Sequence, residues 1–102
     1  MNRGEIWTAE VGRKTRPVLV LTRQEVIDVR MLVTVAEITT QARGLAAEVE
    51  LDHQDTGLDR ESAVNCDGIH TVSQRSLTRF VGTVDPETMS RVCKAISYAL
   101  GC

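Results

Sequence analysis

The sequence predicts a mainly β fold, a small and strongly curved barrel with helices on its outside, contained in one domain over residues 1–102. Three observations predict it. Short apolar segments with a two-residue period recur at close spacing, and polar turn sequences divide them. Only the C-terminal stretch carries a helical apolar stripe with both ends marked. In GEIWTAEV, Trp7, Ala9 and Val11 alternate with Thr8 and Glu10, the pattern of a half-buried strand. GRKT then turns, with Gly12 able to take positive φ and Arg13 and Lys14 exposed at the tip. Behind Pro17, the run Val18, Leu19, Val20 and Leu21 is a second strand, close enough to form a hairpin with the first and apolar enough to be covered on both faces. Thr22 and Glu25 have capping-box spacing, which predicts a short helical turn over Val26 and Ile27.

MLVTVAEI is a third strand, and the polar TTQARG after it is a loop. AAEVEL is a fourth, amphipathic strand, and DHQDTGLDRES is a surface loop. AVNCDGIHTV reads as two short strand pieces divided at the turn dipeptide Asp67-Gly68. After SQRS, the segment LTRFVGTV is the last strand. The terminal helix has Asp85 as N-cap, Pro86 at its first position and Gly101 as its stop. Its apolar stripe is Met89, Val92, Cys93, Ile96, Ala99 and Leu100.

Composition removes several classes of function. Hydrophobic residues make up 42% of the chain with one Trp, one Tyr and one Phe, so the core is aliphatic and stacking of bases on aromatic rings is not a general resource. No stretch approaches the ~18 apolar residues of a membrane span, and MNRGEIW lacks the layout of a secretory signal; a cytoplasmic protein with no membrane partner is expected. Cys66, Cys93 and Cys102 are odd in number without C-x-x-C spacing, and only His53 and His70 could join them, so neither a disulfide framework nor a metal site is expected, and no cofactor. The net charge of −2 argues against general nucleic-acid binding, but its distribution is uneven. Residues 1–43 hold seven Lys/Arg against five Asp/Glu, whereas residues 44–102 hold five against nine, which draws an anionic ligand to the first half.

The G-x-S-x-G, P-loop and H-E-x-x-H patterns are absent. Two strand ends stand out instead. Arg16 sits at the lip of the most apolar strand, where a guanidinium must meet either an acid of this chain (Glu5, Glu10 or Glu37) or an anion from outside. Thr39 and Thr40 leave the third strand. If the second and third strands are antiparallel neighbours, Arg16 and Thr39 share one rim. Arginine offers a fork of N–H donors suited to phosphate, and a threonine hydroxyl orients a phosphate oxygen.

RGEIW, RPVLVLTR, VAEITTQARG, GLDRESAVNCDGIHTV, SLTRFVGTV and the helix opening DPETM follow, in order and over nearly the whole chain, a pattern that resembles the MazF/PemK toxins of type II toxin–antitoxin systems. The resemblance implies a small SH3-like barrel with added helices, a homodimer, a cognate antitoxin, and metal-independent cleavage of single-stranded RNA at short sequences. It assigns the catalytic arginine to Arg16 and the catalytic Thr/Ser to Thr39. RNA-binding roles are expected for Arg13, Lys14, Thr40 and His70. Where members often read Gln-x-Arg-Thr-(Ile/Val)-Asp, this chain has Gly68, Ile69, His70, Thr71, Val72 and Ser73, so His70 stands in for the basic residue. GRKT is also shorter than the corresponding loop of many relatives, which removes any basis for borrowing their cut sites. A general base is not assigned, Glu37, His70 and the substrate's own surroundings being candidates. Two alternatives are a CcdB-like gyrase-binding toxin and an inactive member that only binds an antitoxin.

Overall fold

Six strands form one antiparallel sheet in the computed structural model, which describes residues 1–102. In chain order the elements are β1 (Glu5–Val11), β2 (Lys14–Val20), α1 (Gln24–Ile27), β3 (Leu32–Thr39), β4 (Glu48–Leu51), α2 (His53–Thr56), β5 (Ser62–Ser73), a 3-10 turn at Gln74–Ser76, β6 (Leu77–Thr83) and α3 (Pro86–Leu100). The strand order across the sheet is β4-β5-β3-β2-β1-β6.

Strand alternation divides the core in two. Along β2, Leu19 and, just past the strand's end, Leu21 join one cluster while Val18 and Val20 join the other. On β3, Ala36 and Ile38 face the first cluster and Val33 and Val35 the second. This is why β2 and β3 read as continuous apolar runs: each is buried from both sides. The first cluster is covered by α3 through Val92 and Ala95, the second by Ile27 of α1, Leu77, and the partly buried Trp7 and Met1. Full burial of one Val or Leu side chain contributes about 1.5–3 kcal/mol. Cys66 lies within the first cluster, and burial pushes its thiol up to about 11, so it stays protonated and acts as a small apolar residue.

The sheet is barrel-like rather than a sealed barrel. Its edge strands, β4 and β6, are not hydrogen-bonded to each other; instead α2, which follows β4, packs against β6. Two glycines make that approach feasible. Gly57 ends α2 in the left-handed region with φ 82°, and a Cβ there would strike the Val81 carbonyl oxygen. A Cβ on Gly82 would strike the Thr56 carbonyl oxygen.

The terminal helix forms as expected. Asp85 accepts a 2.7 Å hydrogen bond from the Thr88 N–H, hydrogen bonding by the Thr88 side chain and then its backbone holds the carboxyl below the usual range, and Gly101 closes the helix at φ 75°. The stripe differs in detail: Ala95 is buried with Val92, whereas Cys93 and Leu100 are exposed. Those two lie at the margins of an apolar arc that is narrower than the sequence pattern suggests.

Three local expectations are corrected. Thr22 does not cap α1; its hydroxyl accepts the Thr34 N–H at 2.7 Å, tying the end of β2 to β3, and Arg23 takes the N-cap position without a side-chain bond. DHQDTGLDRES is not wholly loop, because Asp52 caps the short helix α2 by accepting from the Gln54 N–H at 2.9 Å. The segment around Asp67-Gly68 is not a break between two strands. β5 runs unbroken from Ser62 to Ser73, and the dipeptide lies in a bulge where the register against β3 jumps from Ile69↔Ala36 to Asn65↔Glu37.

Candidate active site

The β2–β3 ladder pairs Leu19 with Ala36 and Val18 with Glu37. Continued by two residues, the same register brings Arg16 level with Thr39, and strand alternation puts both on the face of Val18 and Glu37. The rim inferred from the two strand ends therefore forms. Arg16 and Thr39 line one pocket with Glu37, Gln41, Arg43, Glu48 and Asn65, and no apolar side chain is among its walls.

Arg16 is anchored rather than free. Its Nη1 donates to Glu37 Oε1 at 2.5 Å, so the acid partner is Glu37 and neither Glu5 nor Glu10. Glu5 is engaged with the indole N–H of Trp7 and with Asn2. One Arg16 donor is committed to Glu37, and its Nε is buried with no partner. The guanidinium is thus oriented by one carboxylate oxygen while donors remain available for a second anion.

Thr39 ends β3, and its Oγ1 accepts the Gln41 N–H at 3.1 Å. That bond fixes the oxygen and leaves the hydroxyl proton to donate outward. On the far wall, Glu48 Oε1 accepts the N–H groups of Arg43 and Leu45 at 2.9 and 3.1 Å, and these bonds hold its carboxyl below the usual range. The loop is folded back so that Arg43 contributes a second cation to the pocket.

Glu37 also reaches His70. Its Oε2 lies 2.6 Å from His70 Nε2, so one carboxylate joins Arg16 of β2 to His70 of β5. Gly68 makes room for it: a Cβ there would come within 2.9 Å of Glu37 Oε2. The β5 bulge is therefore what lets the carboxylate sit between the two bases.

The remaining candidates are more dispersed. Lys14 shares the face of Arg16 by alternation and is exposed, and Arg13 is exposed on the β1–β2 turn. Thr40 is exposed and lines a different hollow, with Glu50, Asp52 and Glu61, so the structure does not bring it to Arg16. Arg43, Gln41, Glu48 and Asn65 were not singled out from the sequence. A basic residue four positions beyond Thr39, followed by Gly44 at φ 70°, is the one signal in the sequence for Arg43.

A polar, open pocket with two arginines and a strand-end hydroxyl, carried on a curved antiparallel sheet, is chemically suited to an oxyanion such as a phosphodiester. The chain belongs to the family of PemK-like, MazF-like toxins of type II toxin–antitoxin systems, whose sequence model matches residues 2–100. It is 35% identical over 102 residues, covering all of both chains, to the probable endoribonuclease MazF2 of Mycobacterium tuberculosis. It is 42% identical over 86 residues, 84% of this chain and 82% of the relative, to endoribonuclease MazF3 of the same organism. Among solved structures, the Mycobacterium tuberculosis toxin MazF-mt6 superposes with a TM-score of 0.88 at 39% identity over 95% of this chain and 96% of that one. A mycobacterial endoribonuclease in complex with its cognate antitoxin superposes with a TM-score of 0.89 at 26% identity over 99% and 95%.

Proposed function

We propose that this protein is the toxin of a type II toxin–antitoxin pair and that it cleaves single-stranded RNA by attack of a ribose 2′-hydroxyl on the adjacent phosphorus, without a metal ion. Relatives at 35–42% identity carry the name endoribonuclease, and the family is that of the toxins. The observation that carries the reading is the register that sets Arg16 against Thr39 in an all-polar pocket. Arg16 donates to the phosphoryl oxygens as they gain charge, Thr39 holds the phosphate in line with the 2′-hydroxyl, and Arg43 holds the backbone beside it. Arginine is a poor base, since its pKa exceeds ~12, so it stabilises charge and does not remove the proton. Lys14 and Arg13 extend the cationic track along β2 and its turn, and suit flanking phosphates.

The same track suits an acidic antitoxin segment that orders on binding, as the antitoxin-bound relative invites. The functional unit is a homodimer acting in the cytoplasm, where its RNA lies. No helix of the chain is long and apolar enough to cross a membrane.

The test is to incubate the protein with a long single-stranded RNA in excess EDTA, and in parallel with gyrase and supercoiled DNA. Cleavage at discrete sites, undiminished by EDTA, with gyrase activity unchanged is the expected result. Gyrase inhibition without RNA cleavage would instead establish the CcdB-like alternative, and no effect in either arm would make the chain an antitoxin-binding member only.

A further inference from the structure

We propose that Asn65 and Glu48 read the base of a nucleotide adjoining the scissile phosphate, and that the base they accept is a keto base, uracil or guanine; this rests on the endoribonuclease reading above. Both side chains line the pocket of Arg16 and Thr39. Asn65 of β5 stands opposite Glu37 of β3 on one side and opposite Glu48 of β4 on the other, so the three side chains form one row across a single face of the sheet. Directly opposed residues have Cβ atoms about 4.5–5.5 Å apart, a spacing at which two side chains can grip one base edge.

The amide has a fixed orientation. Its Oδ1 accepts the Asp67 N–H at 3.1 Å, so the atom left to the pocket is Nδ2, which only donates. Nδ2 has no partner in the chain and is not buried, and the neighbouring Glu37 is engaged elsewhere, Oε1 by Arg16 and Oε2 by His70. Glu48 is held as firmly. Its Oε1 accepts the N–H groups of Arg43 and Leu45, which leaves Oε2 as an unpaired acceptor that is not buried. The same bonds hold the carboxyl below its usual range, so it remains an acceptor at neutral pH.

A fixed donor beside a fixed acceptor matches the edge of a keto base. In uracil and guanine a carbonyl oxygen lies next to a ring N–H, so Nδ2 donates to the carbonyl while Glu48 Oε2 accepts the ring N–H, in guanine with the 2-amino group beside it. Cytosine and adenine carry an amino group next to a bare ring nitrogen. In the same pose they set donor against donor at Asn65 and acceptor against carboxylate at Glu48, and the reverse pose turns the base relative to a ribose whose phosphate is fixed on Arg16. Arg16 and Thr39 thus supply the grip common to every sequence, and the Asn65–Glu48 pair supplies the choice among them.

The experiment maps the cuts on a long single-stranded RNA, takes a short RNA around one cut, and measures kcat/KM with each of the four bases in turn at the two nucleotides flanking it. At one of the two, a keto base should exceed both amino bases by about tenfold or more. Methylating its ring N–H, as 3-methyluridine or 1-methylguanosine, should remove the advantage. Asn65→Asp keeps an oxygen for the Asp67 N–H, and so keeps the bulge, but replaces the donor by an acceptor. Whatever its added charge costs on every RNA, its keto-over-amino ratio should fall about tenfold or reverse. Glu48→Gln keeps Oε1 for the loop and replaces Oε2 by a donor, and it should lower the same ratio; if Asn65→Asp does not fold, this variant decides. Wild-type ratios in a folded variant, or no keto preference at either nucleotide, overturn the assignment while leaving the endoribonuclease reading intact. Wild-type protein that cuts no RNA overturns both.

Discussion

Arg16→Ala is expected to lower kcat for RNA cleavage by about 10²–10³-fold, the loss typical when one preorganised donor to a developing oxyanion is removed, equivalent to about 2.7–4 kcal/mol. The size follows from preorganisation. Glu37 already orients the guanidinium before substrate arrives, and the buried Nε shows that the side chain is held within the sheet rather than swinging in solvent. Arg16→Lys should recover little, because a single ammonium cannot hold Glu37 and a phosphate in the same fork geometry. Thr39→Ala should lose less, since a water can replace part of what a positioning hydroxyl does. Each variant should keep the wild-type circular dichroism spectrum, because the side chains of Arg16 and Thr39 are only partly buried. A folded Arg16→Ala protein with wild-type kcat would remove Arg16 from the chemistry.

The largest effect on stability is expected from Gly82→Ala. The added Cβ meets the carbonyl of Thr56, a backbone group that cannot rotate aside, and the neighbouring Gly57 N–H lies only 3.4 Å away. Overpacking typically costs about 1–3 kcal/mol, and a clash with backbone belongs at the upper end, about 3 kcal/mol. For a domain of this size that corresponds to a fall in Tm of about 12 °C or more. Gly44→Ala is the control. Its φ is 70° with nothing within 4 Å of the new Cβ, so it carries only the left-handed strain, about 1–2 kcal/mol. Urea unfolding of the two variants checks the difference. If Gly82→Ala were no less stable than wild type, the close packing of α2 on β6 would not be a tight constraint on the fold.

The strands, the terminal helix and the β1–β2 hairpin were legible because each rests on local signals, alternation or caps, that neighbouring segments reinforce. The pairing of β2 with β3 entered only as a condition, and once it holds Arg16 and Thr39 meet by register alone, which is why their shared rim could be anticipated. What could not be read depends on tertiary geometry. Asp67-Gly68 has the chemistry of a hairpin turn, yet β3 supplies partners on both sides of it, so the chain bulges and continues. That bulge seats the Glu37 carboxylate against Gly68 and beside His70, a contact between positions 33 residues apart. Arg43 reaches the pocket only because Glu48 folds the loop back through two backbone N–H groups. Thr40 shows the converse, since its neighbour Thr39 faces the site and alternation turns Thr40 away. Capping-box spacing at Thr22 was overridden by a backbone donor of β3 that needed an acceptor.

The central claim is that Arg16 and Thr39 act on a phosphodiester whose own 2′-hydroxyl is the nucleophile. The most direct test is to identify the ends of the RNA fragments made in excess EDTA, beside a substrate carrying 2′-deoxyribose at the cut site. A 2′,3′-cyclic phosphate on one fragment, a 5′-hydroxyl on the other, and complete resistance of the deoxy substrate are predicted. A 5′-phosphate on the product, cleavage that stops in EDTA, or cutting of the deoxy substrate would contradict the account.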